Sequence, residues 1–346
     1  MNILITGGAG YIGSHVAKQL LETTIHNIII LDNLSTGSIK TLDTLKKIRD
    51  FKFIELDLKE FDKVNSVLNE NKINTIIHFA ASIVVPESVE NPLKYYMNNT
   101  VNTTNLIKCA VENSVSKFIF SSTAAVYGEP TDLPNTGVDE NYPTNPINPY
   151  GMSKLMSEKV LQDTASGNDD FKYVIFRYFN VAGADINYES NKLVPRIGQS
   201  FPNATHLIKI ASECAIGKRK KMFIFGDDFD TKDGTGIRDY IHVDDLADAH
   251  IKAIDYLENN PSDIFNAGYG KGYSVKEVIE TVKEVSKTNF KVEISSRRAG
   301  DSAILVSDNS KIKSKMNWMP EFEDLSLICK TAYEWEKKLE EKIKWR

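Results

Sequence analysis

The sequence predicts an α/β protein: a doubly wound parallel sheet followed by a smaller α/β domain. Three observations carry the prediction. Short β-branched runs alternate with helix-length amphipathic segments through the first half of the chain. Runs such as NIIILD and NTIIHF are apolar almost without interruption, as parallel strands covered by helices on both faces must be. A glycine-rich turn leads from the first of these runs directly into a helix.

Taken in order, the strands are Asn2–Thr6, Asn27–Asp32, Phe51–Leu56, Asn74–Phe79, Lys117–Ser122 and Tyr173–Tyr178, with helices filling the gaps. After about residue 180 the pattern loosens into Gly, Pro and Asn-rich stretches. Helices are expected there at His206–Gly217, Asp244–Glu258, Ser274–Lys287 and Asp324–Lys342. No internal repeat or low-complexity tract occurs, and no Pro/Gly linker separates the halves, so residues 1–180 and 181–346 are expected to pack around a shared cleft. The boundary is soft, and segments can interleave across it.

Composition narrows the function classes. The 346 residues are 41% hydrophobic and 26% charged, and 42 Lys plus Arg against 47 Asp plus Glu give a net charge of −5. That mild acidity argues against a general nucleic-acid or anionic-membrane binder. Cys109, Cys214 and Cys329 are far apart, with no CxxC pair, so neither a disulfide framework nor a metal site is expected. The start MNILITGGAG lacks the charge and apolar run of a secretory signal, and no eighteen-residue apolar stretch occurs. A cytoplasmic protein is expected.

The first chemical feature is Thr6-Gly7-Gly8-Ala9-Gly10-Tyr11-Ile12-Gly13, between the first strand and a helix carrying Val16, Leu20 and Leu21. Glycines at 7, 10 and 13 permit a tight turn, close approach of backbone N–H groups to a pyrophosphate, and close helix–strand packing; the helix N-terminus adds positive potential. Asp32 ends the second strand nineteen residues after Gly13, where its carboxylate can accept from an adenosine ribose. A carboxylate there repels a 2′-phosphate, and no Arg follows before Arg49, so NAD is preferred over NADP. The first half therefore reads as a Rossmann domain. Asp57-Leu58 and Phe79-Ala80-Ala81 fall at strand ends that would face the cofactor, although structural roles explain those positions equally well.

The second feature is Tyr150-Gly151-Met152-Ser153-Lys154, together with Thr123 beyond the fifth strand. Positions i and i+4 of a helix share a face. A lysine ammonium and the nicotinamide beside Tyr150 would lower its pKa enough for proton exchange with a sugar hydroxyl, which Thr123 can also hold. The spacing alone does not choose, because Tyr188/Lys192 and Tyr333/Lys337 repeat it. Tyr333 lies in a Glu/Lys-rich helix and Tyr188 in a polar loop; only Tyr150 joins the glycine motif to a Ser/Thr-rich strand end.

Together these motifs resemble the extended short-chain dehydrogenase/reductase family, whose members bind NAD in the Rossmann domain and a nucleotide sugar in the C-terminal one. HFAA at 78–81, ESVENPLKYYMNN at 87–99, RYFNVAGA at 177–184, DGTGIRDYIHVDDLADAH at 233–250 and RRAGD at 297–301 resemble its UDP-glucose 4-epimerase branch over nearly the whole chain. The resemblance implies that Tyr11, Ile12, Asp32, Asn33, Asp57, Leu58, Phe79, Ala80, Ala81, Asn98, Tyr150, Lys154 and Phe179, with the glycines, contact NAD. It implies that Thr123, Tyr150, Asn180, Arg238, Arg298 and Asp301 face a UDP-sugar, with Thr123, Tyr150 and Lys154 catalytic. The implied cycle takes a hydride from sugar C4, turns the 4-keto sugar, and returns the hydride to its other face. A homodimer is the family's usual state, built on helices at roughly 88–113 and 148–166.

The departures bear on specificity. Ile83 stands where several relatives have a cofactor-contacting lysine. Leu305 stands where narrowly hexose-specific members have a tyrosine; a wider pocket there would accept a 2-acetamido group, although a core leucine explains the residue equally. Two rivals stay open. A 4,6-dehydratase shares the fold but carries Asp-Glu after the strand-end Thr, where this chain has Ala124-Ala125, and a silent NAD-binding regulator would lack the Tyr or Lys. The acidic stretch 227–234 fits a solvated loop better than a calcium site, since Lys232 and Tyr240 occupy ligand positions. Lys218–Lys221 suits a helix C-terminus.

Overall fold

Six parallel strands assemble in the order that a doubly wound fold requires, and a seventh joins them from the second half of the chain. They are β1 (Asn2–Thr6), β2 (Asn27–Asp32), β3 (Lys52–Glu55), β4 (Thr75–His78), β5 (Lys117–Thr123) and β6 (Lys172–Tyr178). Their spatial order is 3-2-1-4-5-6, and strand Asp263–Ala267 pairs in parallel outside β6. The computed structural model describes residues 1–131, 137–202, 205–298 and 301–344; Ala299 and Gly300 of the RRAGD stretch lie outside them. The strand order reverses between β1 and β4, and in such sheets the ligand crevice opens at the C-terminal ends beside that point.

Alternate side chains of each strand feed two cores, which explains the unbroken apolar runs. Ile3, Ile5, Ile28, Ile30, Ile77, Ile119, Val174 and Phe176 pack on one face, with Val16 and Leu20 of helix Tyr11–Thr23 and Leu246 and Ile254 of helix Val243–Asn259. Leu4, Ile29, Leu31, Ile76, Phe118, Phe120 and Ile175 pack on the other, with Val64, Leu68, Leu106 and Leu161 from helices Phe61–Glu70, Asn102–Glu112 and Pro149–Ser166. Burying each such side chain stabilises the fold by about 2 kcal/mol, so both faces must stay covered.

The remainder of the chain builds a second, four-stranded sheet. Strand Ile237–His242 is its centre, flanked by Gly272–Ser274, Ile304–Leu305 and Asn180–Ala182. Helices Leu207–Ala215, Val275–Ser286 and Leu325–Lys344 surround it, close to the expected bounds. Ser274 caps the second of these through a reciprocal box with Glu277, and Lys287 ends it in a left-handed conformation. A short π-helical turn, Tyr96–Val101, interrupts the helical segment ahead of Asn102, a feature that no periodicity in the sequence announced.

Candidate active site

The glycine turn is built for close approach. Gly7 has φ +71°, and a Cβ there would lie 2.7 Å from the backbone nitrogen of Ala80; one on Gly13 would lie 2.4 Å from the Gly7 carbonyl oxygen. The turn thus presses β1, the first helix and the end of β4 together. Gly10 is the N-cap of helix Tyr11–Thr23 and supplies no side-chain cap, leaving the first-turn N–H groups for an anion. Asp32, at the end of β2, accepts from the Ala9 and Leu34 backbone nitrogens at 3.0 and 2.8 Å. Burial raises its carboxyl pKa against those two bonds. The Asn33 amide donates to Asp57 at 3.0 Å; burial raises Asp57, but the Lys59 N–H, that amide and the Lys59 ammonium outweigh it and the net shift is downward. This cradle, which side chains at 7 and 13 would fill, and the ribose-ready carboxylate fit a dinucleotide.

Other expected cofactor residues are placed as follows. Leu58 is buried in one core, Ile12 packs against the other, and the Phe79 ring lies tilted against His250 with ring centres 5.0 Å apart. The Tyr11 hydroxyl donates to the Gly183 carbonyl at 2.7 Å, tying the first helix to the segment after Asn180. Asn98 lies in the π-turn and donates to the Ser82 hydroxyl at 3.1 Å, just past Ala81. Ile83 is exposed.

Helix Pro149–Ser166 brings the expected proton-transfer residues to β5. Asn148 accepts from the Gly151 N–H at 2.9 Å and Pro149 opens the first turn, so the helix start is fixed and Tyr150 falls at its second position. Gly151 is required there: a Cβ would lie 2.6 Å from the Ala125 carbonyl oxygen, in the 3₁₀ turn Ala124–Tyr127. Tyr150 shares a hydrogen bond with Thr123, the last residue of β5. One turn on, the Lys154 ammonium donates to the Ser121 carbonyl at 2.7 Å. Burial lowers its pKa to about 7 against the opposing pull of Glu158.

In the protein without its cofactor, burial raises the Tyr150 phenol and the Thr123 hydrogen bond opposes it. The Lys154 ammonium is there directed at the Ser121 carbonyl. The rival pairs separate cleanly. Tyr188 is exposed and lies with Lys192 in a two-stranded hairpin, while Lys337 lies over the Tyr333 ring, 5.4 Å from its centre, on the C-terminal helix.

The second sheet gathers the expected substrate residues. Asn180 pairs with Tyr240, and Arg238 with Leu305. The Arg238 guanidinium donates to the Ile237 and Ser302 carbonyls at 2.9 and 2.7 Å, and Asp301 faces both it and Arg298. Arg298 is stacked 3.7 Å above the Phe225 ring centre, an aromatic platform that the sequence reading passed over. Leu305 is half-buried and packs against the cluster of Ala124, Val126, Tyr127, Val138 and Phe179, whose first member follows Thr123 directly.

Comparison with known proteins decides the family. Residues 3–268 match the model of the NAD dependent epimerase/dehydratase family, a span that ends just past the seventh strand of the main sheet. The chain is 43% identical over 342 residues to the UDP-glucose 4-epimerase of Azospirillum brasilense, covering 99% of this chain and 93% of that one. The chain belongs to the UDP-glucose 4-epimerase family. A UDP-Glc/GlcNAc 4-epimerase from Campylobacter jejuni is 57% identical, with TM-score 0.84 and coverage of 97% and 99% of the two chains. UDP-glucose 4-epimerase from Bifidobacterium longum, in complex with NAD+ and UDP, is 36% identical with TM-score 0.90 and 98% coverage of both. The chain is accordingly an NAD-dependent UDP-sugar 4-epimerase by class, and no helix among its described residues is long and apolar enough to cross a membrane.

Proposed function

We propose that this epimerase interconverts UDP-GlcNAc and UDP-GalNAc as well as UDP-glucose and UDP-galactose, by transient oxidation at C4. The observation that carries the wider range is Leu305, an aliphatic side chain packed against the small cluster that contains Ala124 and Phe179, next to Thr123, where a bulkier ring would narrow the sugar pocket. The 57% identity to the Campylobacter jejuni UDP-Glc/GlcNAc enzyme supports the same reading.

NAD, when bound, supplies the hydride acceptor and donor for C4. Tyr150 takes the 4-hydroxyl proton and gives it back, and Thr123 holds the same hydroxyl. The Lys154 ammonium, in an apolar setting, favours the phenolate once a ligand draws the two groups together. Arg238, Arg298 and Asn180 anchor UDP, so the 4-keto sugar is retained while its hexose stays free to turn. Ala124 and Ala125 stand where a dehydratase would bring two carboxylates, which favours epimerisation over elimination.

The same reading includes a homodimer. Val89, Leu93, Met97 and Met156 are exposed apolar side chains on helices Val85–Glu90, Pro92–Tyr95 and Pro149–Ser166 and on the π-turn, the surface expected to meet a second copy. Three buried free thiols suit a reducing compartment, and we place the enzyme in cytoplasmic carbohydrate metabolism.

The test supplies purified protein with UDP-glucose and UDP-GlcNAc separately, without added NAD, and resolves the products by chromatography. Both 4-epimers are expected; a 4-keto-6-deoxy sugar, or no conversion, overturns the reading. Leu305→Tyr should reduce turnover of the acetamido sugar more than that of the hexose, and equal losses would dismiss Leu305 as the gate.

A further inference from the structure

Three consecutive residues at the end of β5 receive three aligned side chains of the catalytic helix. Tyr150, Lys154 and Glu158 are spaced i, i+4 and i+8 and share one face. Thr123 bonds Tyr150, the Ser121 carbonyl accepts from Lys154, and the Ser122 hydroxyl donates to the Glu158 carboxylate. Only the first two of these contacts belong to the proton-transfer pair; the third is fully buried and has no part in the chemistry as derived so far.

Glu158 is in turn gripped from β6. Arg177, paired in register with Ser122, donates through Nη2 and Nε to the two carboxylate oxygens at 2.8 and 3.2 Å. Its remaining donor reaches the Tyr127 hydroxyl at 3.0 Å and the Glu140 carbonyl at 3.2 Å, and Tyr127 passes the chain of bonds to Asn266 on the seventh strand at 2.7 Å. A buried ion pair is expensive to desolvate and often contributes little net stability, so its placement one turn from Lys154 calls for another explanation.

We infer that Glu158, clamped by Arg177, is a positioning residue for the epimerisation: through Ser122 it fixes the strand end that offers the Ser121 carbonyl to Lys154 and presents Thr123 to Tyr150, and it sets its carboxylate one helical turn from the Lys154 ammonium. The inference rests on the catalytic reading of Tyr150 and Lys154. The groups facing Lys154 are consistent with it. Tyr150 and Glu158 lie one turn to either side on its own helix, His78 faces it from β4, and the Phe120 ring of β5 lies 4.9 Å from the ammonium. Burial, helped by Lys154, brings His78 to about 3, so it stays neutral at working pH, and burial keeps Tyr150 and Tyr178 protonated there. Among these side chains Glu158 is the one whose charge opposes the loss of the lysine proton, beside the hydrogen bond to the Ser121 carbonyl.

The test uses NAD-loaded Glu158→Gln and the double variant Glu158→Gln/Arg177→Met, the second removing both charges so that no buried arginine is left unpaired. Both are expected to retain nucleotide and near-normal KM, to lose about tenfold or more in kcat, and to show the alkaline fall in activity about one pH unit or more earlier. Glu158→Asp, which keeps the charge, should move that limb back toward wild type. Tyr150→Phe runs alongside. An active Tyr150→Phe enzyme would sink the catalytic reading and this inference with it. An inactive one, beside a nucleotide-loaded double variant with wild-type kcat and pH profile, would sink this inference alone.

Discussion

Replacing Lys154 by methionine should stabilise the NAD-free chain at neutral pH while removing its activity. The lysine is 3% exposed, and burial brings its pKa from 10.5 to about 7. At about 1.4 kcal/mol per pH unit, keeping that proton inside the fold costs about 5 kcal/mol wherever folded and unfolded chains are both protonated. Methionine has a similar volume and forfeits the bond to the Ser121 carbonyl, about 2 kcal/mol, so the net gain is about 3 kcal/mol. The sign follows from proton binding. The folded pKa lies below the unfolded one, so between pH 7 and 10.5 the unfolded chain holds more protons and the wild-type protein gains stability as pH rises. The advantage of methionine is therefore complete at pH 7 and below and shrinks by about 1.4 kcal/mol per pH unit above it. Urea unfolding, followed by fluorescence of the buried Trp318 and Trp335 across this range, measures the difference. An advantage independent of pH, or a variant less stable than wild type at neutral pH, would refute the assignment of a destabilising buried charge.

Other outcomes are as definite. Tyr150→Phe should lower kcat by about a thousandfold, while Tyr188→Phe and Tyr333→Phe keep wild-type rates in the chromatographic assay. Gly7→Ala should release NAD, read as loss of nucleotide in the purified protein, because the new methyl must displace Ala80 and φ +71° strains any other residue by about 1 kcal/mol. Lys18→Met should cost about 3 kcal/mol in urea unfolding, since its ammonium bridges the buried carboxylates of Asp185 and Asp244 at 2.6 and 2.8 Å.

Local signals made much of this molecule legible. β1 and β2 were bounded to the residue because apolar runs end at Thr6 and Asp32, and the helix behind Ser274 was bounded by its cap and by Lys287. Tyr150 could be separated from two look-alike pairs because strand ends and helix starts leave marks in sequence. Long-range pairing left none: Asp263–Ala267 is a short run in the looser half of the chain, and nothing local says that it lies beside β6. The Glu158–Arg177 pair was missed for a related reason, although a carboxylate two turns after Tyr150 was a visible signal. Arg177 is a cation inside a buried strand, a placement explained only by a partner on another element. Lys218 and Arg219 fitted a helix end, yet both are turned back onto the buried Glu213 carboxylate.

The seventh strand also limits how the protein can be divided. The chain leaves the main sheet after Tyr178, lays down Asn180–Ala182 and Ile237–His242 of the second sheet, comes back at Asp263 to cover the flank of β6, and only then adds Gly272–Ser274 and Ile304–Leu305. A fragment ending at residue 180 would leave the backbone N–H and C=O groups of that flank as an open edge and, without helix Val243–Asn259, would also uncover Val174 and Phe176 on the sheet face, both inviting aggregation. The two halves of the reaction are thus made inseparable by backbone topology: a gene split at the apparent boundary should yield insoluble pieces, whereas one cut after residue 268 leaves the nucleotide-binding sheet whole.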